Sequence, residues 1–117
     1  MVALSCELKA VQAGALNPDY QRGQVGDLME FTITNLNTKG RSAQFIGSGG
    51  TASVTFADGP DQLQFLEITP TGNAAFLSVF APPREGAPLP AVYSRHMGFG
   101  PGNIAISQYA GTCEPRL

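Results

Sequence analysis

The chain has little of what catalysis, metal binding or nucleic-acid binding usually draw on. Among its 117 residues there is one histidine, there are two cysteines, and only 14% are charged. Nine acidic and seven basic side chains give a formal net charge of −2, and no two charges of like sign are adjacent. A nucleic-acid footprint needs clustered Lys and Arg to displace counterions, and a membrane-surface patch needs a polybasic cluster, so neither partner is expected. No apolar run approaches the roughly 20 residues of a membrane-crossing helix. One histidine, two distant cysteines and dispersed carboxylates do not supply the clustered ligands of a zinc or calcium site, so no metal or other cofactor is expected.

What the chain does have is turn residues and apolar alternation. It carries 14 glycines and 9 prolines spread along its length, beside 43% hydrophobic residues. The apolar content argues against a disordered chain, and the length suits a single domain, residues 1–117, with one core. Apolar residues recur at period two in segment after segment and nowhere hold helical spacing over ten or more residues. The expected fold is all-β.

The strand candidates are read from that alternation. Ser5 to Gln12 comes first, followed by an irregular stretch from Ala13 to Gly26 with turn signals at Asn17-Pro18-Asp19 and Arg22-Gly23, where a short helical turn could sit. Asp27 to Asn35 sets Met29, Phe31 and Ile33 against Glu30, Thr32 and Thr34. Arg41 to Ile46 and Thr51 to Ala57 form a hairpin through Gly47-Ser48-Gly49-Gly50. Gln62 to Thr69 and Ala74 to Phe80 follow, then a proline-rich loop from Ala81 to Pro90, then Ala91 to Met97 and Ile104 to Ala110. Phe31, Phe45, Phe56, Phe65 and Phe76 are expected to face inward. About eight short antiparallel strands suggest a meander closed into a small barrel, or a flattened sandwich.

Cys6 and Cys113 stand near the two ends, which suits a disulfide that clasps first strand to last. Closing a loop of about 100 residues is worth roughly 4 to 5 kcal/mol in the chain-entropy model. Two buried reduced thiols are the competing reading. Lipidation of Cys6 after removal of a leader ranks last, since it strands Cys113. The disulfide reading places the protein in an oxidising compartment, periplasmic or secreted, reached by a leader that this sequence lacks, with Met1 then an artefact of expressing the mature form.

Motifs with chemistry are few. The segments Gly47 to Gly50 and Gly98 to Gly102 match neither the P-loop nor the dinucleotide fingerprint and are expected to be turns. Asp58 and Asp61 flank a proline turn, where carboxylates bond local backbone. The last hairpin alone combines polar types of interest, Ser94, Arg95 and His96 facing Ser107 and Tyr109. Histidine exchanges protons near neutral pH and arginine offers a rigid fork to anions. Period two sets Ser94 with His96 and Tyr93 with Arg95. Pairing whose residue numbers sum to an odd value near 201 would bring Ser94 to Ser107 and His96 to the face of Ala105 and Tyr109, whereas a slip of one residue would put Ile104 and Ile106 there instead.

Ser94-Arg95-His96 followed by Ser107-Gln108-Tyr109 and Gly111-Thr112-Cys113-Glu114 resembles the ending of small exported proteins of unknown function from alphaproteobacteria. The likeness covers the last quarter or so of the chain. Ala110 stands where that group often has a second tyrosine, and its members tend to carry more N-terminal cysteines. The resemblance implies a periplasmic, disulfide-containing protein and brings no activity with it.

The leading expectation is a non-enzymatic binding module of the bacterial envelope, taking a small ligand near Ser94, Arg95, His96, Ser107 and Tyr109. A protein-interaction or inhibitor-like domain working through the proline-rich loop is the alternative. A hydrolase built on Ser94 and His96 ranks last, because a strand pair offers no visible orienting group or oxyanion hole.

Overall fold

A computed structural model describes residues 3–16, 19–24 and 27–116, and every regular element in it is a strand. In chain order these are β1 (Ala3–Leu16), β2 (Tyr20–Arg22), β3 (Leu28–Asn37), β4 (Ser42–Gly47), β5 (Gly50–Asp58), β6 (Gln62–Ile68), β7 (Ala74–Phe80), β8 (Leu89–Gly98) and β9 (Ile104–Arg116). Each strand from β3 to β9 pairs antiparallel with its sequence neighbour, and β1 pairs with both β3 and β9. Eight strands therefore close into a barrel, which removes the exposed edges of an open sheet. No described helix is long and apolar enough to cross a membrane.

The ninth strand corrects the reading of the Ala13 to Gly26 stretch. β1 continues to Leu16, and Tyr20–Arg22 folds back on Gly14, Ala15 and Leu16. No helical turn forms among the described residues; Asn17 and Pro18 of the expected turn lie outside them. The register of β1 against β9 shifts between Ala10 and Gln12. A bulge of this kind bends a strand and increases its twist. Below it β1 pairs with β3, and above it β2 takes the place of β3 beside β1. The upper halves of β1 and β9 thus extend past the closed barrel, in line with a molecule 44 Å long and less than 30 Å across.

Inward positions are apolar and crowded at one end. Leu4, Leu8, Ile33, Val54, Phe56, Phe65, Leu77, Val79 and Cys113 are all at most 5% exposed. Phe56 and Phe65, directly opposed on β5 and β6, stack with centroids 5.1 Å apart. Outward positions such as Glu7, Lys9, Glu30 and Thr55 are exposed, as the alternation in the sequence required.

Cys6 and Cys113 are joined by a disulfide, and they are direct cross-strand partners in the β1–β9 seam. The bond therefore fastens the first strand of the barrel to its last.

Two further expectations change. Phe76 points outward and is 44% exposed, while Ala75, Leu77 and Val79 take the inner positions of β7. The segment Ala74-Ala75-Phe76-Leu77-Ser78-Val79-Phe80 has apolar residues on both faces, so alternation alone could not choose between them. The proline-rich loop ends at Pro88, because Leu89 and Pro90 already pair with Cys113 and Thr112. Those residues lie beyond the last β7–β8 pair, Val79 with Ala91, so the missing Pro90 amide leaves no gap in that ladder.

Candidate functional site

The barrel interior is filled at one end and open at the other. Within the buried layer a void of about 10 Å³ lies between Phe65, Ala75, Leu77 and Tyr93, roughly the room needed for one water centre. Above it a cavity of about 730 Å³ opens to solvent, within the size range of small-molecule sites.

An aromatic group forms the floor of this cavity. Phe31 of β3 and Phe45 of β4 stack with centroids 4.5 Å apart. Each lies 6.2 Å from Tyr93 of β8. Tyr93 meets its cross-strand partner Tyr109 edge-on at 6.0 Å. Met29, Ala52, Glu67 and Arg95 add to the lining, and Ser48, Gly49 and Gly50 of the β4–β5 turn stand at the rim. Gly47 pairs with Gly50, leaving Ser48 and Gly49 as a two-residue turn, and Gly50 has φ 122°, a conformation suited to glycine.

Register decides which residues of the last hairpin reach the cavity. β8 and β9 pair Tyr93 with Tyr109, Ser94 with Gln108, Arg95 with Ser107 and His96 with Ile106. The odd-sum register, which would have placed Ser94 opposite Ser107, does not occur. Arg95, Ser107 and Tyr109 share the inward face with Tyr93, while Ser94 and His96 share the outward one. The Ser94 hydroxyl accepts a hydrogen bond from the Gln108 side-chain amide at 3.3 Å. His96 is exposed beside Ile106 and Gln12, at a small outer depression of about 110 Å³. The five residues singled out in the sequence thus divide, and only Arg95 and Tyr109 line the cavity. Ser107 lies beside Arg95, outside that lining.

Several lining residues escaped the sequence reading. Tyr93 was legible as a partner of Arg95 on one face. Phe31 and Phe45 face inward as the alternation requires, and nothing in their local pattern distinguishes core from cavity floor. Glu67 is an inward acid in a strand whose other inward residues are Leu63 and Phe65. An inward charge in an apolar strand was the available signal, since charges are rarely placed inside without a partner.

The electrostatics follow from this placement. The Arg95 Nε is buried and has no hydrogen-bond partner. Among the described residues the one ion pair is the exposed Arg116–Glu114 contact at 4.0 Å, so Arg95 and Glu67 do not pair. Burial pushes the Tyr93 phenol above its ordinary 10.0; Arg95 opposes the shift, and Glu67 and Tyr109 add to it. The folded state therefore holds this proton more tightly than the unfolded chain. Its contribution to stability is complete below pH 10.0 and declines as pH rises through the folded value. Thermal unfolding followed across that range should show a loss of stability that Tyr93→Phe reduces. An identical pH dependence in the variant would contradict the assignment.

No protein-family model, curated protein or solved structure matches the chain.

Proposed function

We propose that the chain is a non-enzymatic binding module that takes a small ligand in the open end of its barrel. An eight-stranded barrel has an interior that side chains can fill or that can hold one small molecule. Here one end is filled by side chains and the other is open. The observation that carries the reading is the buried, unpartnered Arg95 Nε beside a floor of Phe31, Phe45, Tyr93 and Tyr109. Buried donors in folded proteins are satisfied with few exceptions, and a ligand acceptor would satisfy this one. The Cys6–Cys113 bond supports placement in an oxidising compartment, the periplasm or the exterior of a bacterial cell.

A second reading, binding of a protein through the proline-rich loop, has its own support. At the opposite end of the barrel a shallow apolar groove of about 280 Å³ runs between Leu63, Phe80, Leu89 and Pro115, at the root of that loop. It lacks the convergent polar groups that orient a ligand, which is why the open end is preferred.

The test uses anilinonaphthalene sulfonate, an aromatic anion whose emission rises in apolar surroundings. The oxidised protein should bind it saturably at one site. Ala52→Phe, which fills the cavity from β5, should abolish the signal while leaving the near-ultraviolet circular dichroism of the fold in place. Dye binding unchanged in Ala52→Phe would place the site elsewhere and overturn the proposal.

A further inference from the structure

Four charged residues line the cavity, Asp27, Glu30, Glu67 and Arg95, and the last two, which share one row on the inward face, identify a narrower class of ligand. Glu67 on β6 pairs with Ala75 on β7, and Ala75 pairs with Arg95 on β8. The acid and the base therefore sit in one row across the sheet, two strand spacings or roughly 10 Å apart at the backbone, with the small Ala75 between them. Both line the same cavity, and they do not form an ion pair with each other. Guanidinium groups bind carboxylates through paired, charge-assisted hydrogen bonds. A carboxylate such as Glu67 accepts from an ammonium, and aromatic faces nearby attract the same cation.

Building on the reading of the open end as a ligand site, we propose that the ligand is a small zwitterion with an apolar or aromatic body, of the chemical class of a free aromatic amino acid. Its carboxylate lies on Arg95, its ammonium on Glu67, and its body on the floor made by Phe31, Phe45, Tyr93 and Tyr109. A ligand that is only an anion would leave Glu67 unmatched, and one that is only a cation would leave Arg95 unmatched. The zwitterion uses both.

Three probes separate these possibilities by calorimetry on the full oxidised chain: phenylalanine, 3-phenylpropanoate, which lacks the ammonium, and phenethylamine, which lacks the carboxylate. Phenylalanine should bind most tightly, and each single-charge analogue should be weaker by about tenfold or more. Arg95→Gln should erase the advantage of phenylalanine over phenethylamine, and Glu67→Gln its advantage over phenylpropanoate. Both variants should keep the thermal unfolding of the parent, so that a loss of binding is not a loss of fold. Equal or tighter binding of either analogue would overturn the inference, as would no binding of any probe. Titration of the same samples with anilinonaphthalene sulfonate distinguishes the two levels of the argument. Dye bound at the open end with no preference for the zwitterion sinks this inference alone, whereas failure of the dye as well sinks the ligand-site reading beneath it.

Discussion

Replacing Cys6 and Cys113 together by alanine should lower the unfolding free energy by about 4 kcal/mol, most of what a domain of this size has to spare. The cysteines lie 107 positions apart in sequence. The seam they fasten joins the chain's first strand to its last, so without the bond the unfolded chain has almost its whole length free to explore before β1 can find β9. Loop-closure entropy is then charged to the folding of the reduced protein. Alanine is the appropriate replacement, since Cys113 is fully buried and a serine hydroxyl there would add a desolvation cost of its own. Urea unfolding of the oxidised protein and the double variant should give separated midpoints, with the variant lower. Coincident midpoints would mean that strand pairing alone holds the seam.

Gly111→Ala should cost about 3 kcal/mol, at the upper end for overpacking, because the obstruction is backbone. Gly111 lies on β9 opposite Leu8 of β1 and Ala91 of β8. A Cβ there would stand 2.8 Å from the Leu8 Cα and would also run into the Glu7 carbonyl oxygen. Neither is the end of a side chain that could rotate away. The strands would have to separate two residues from the disulfide, where the cysteine Cα atoms are 4.0 Å apart. Gly49→Ala is the matched control, since nothing lies within 4 Å of a Cβ at that turn position. Thermal unfolding should show a large loss for Gly111→Ala and almost none for Gly49→Ala; equal behaviour would show that the seam can yield.

β1 and β3 to β9 were legible in the sequence because alternation is local information, and the terminal clasp because the chain has two cysteines in all. Glu30, Thr32 and Thr34 alternating with Met29, Phe31 and Ile33 can be buried on one side only, and two cysteines at the ends leave one pairing. The Ser48–Gly49 turn was legible for the same reason. Phe76 was not, because its segment is apolar on both faces and only the neighbours on β6 and β8 decide which side is core. The site was less legible still. Whether Arg95 or His96 belongs with Tyr109 turns on a one-residue choice of register, and that register is set by the whole β8–β9 ladder down to Leu89 opposite Cys113. That Phe31 of the core and Phe45 packed against it also form the floor of a cavity depends on what stands above them on other strands, Ala52 among them, which no local pattern shows.

The most direct measurement of the account is a backbone amide NMR titration of the oxidised protein with anilinonaphthalene sulfonate. The ligand-site reading predicts shifts concentrated at Phe31, Phe45, Glu67, Tyr93, Arg95 and Tyr109, around the open end. Shifts concentrated instead at Leu63, Phe80, Ala81 and Leu89, or on the outer face at Phe76, Val92 and His96, would contradict it.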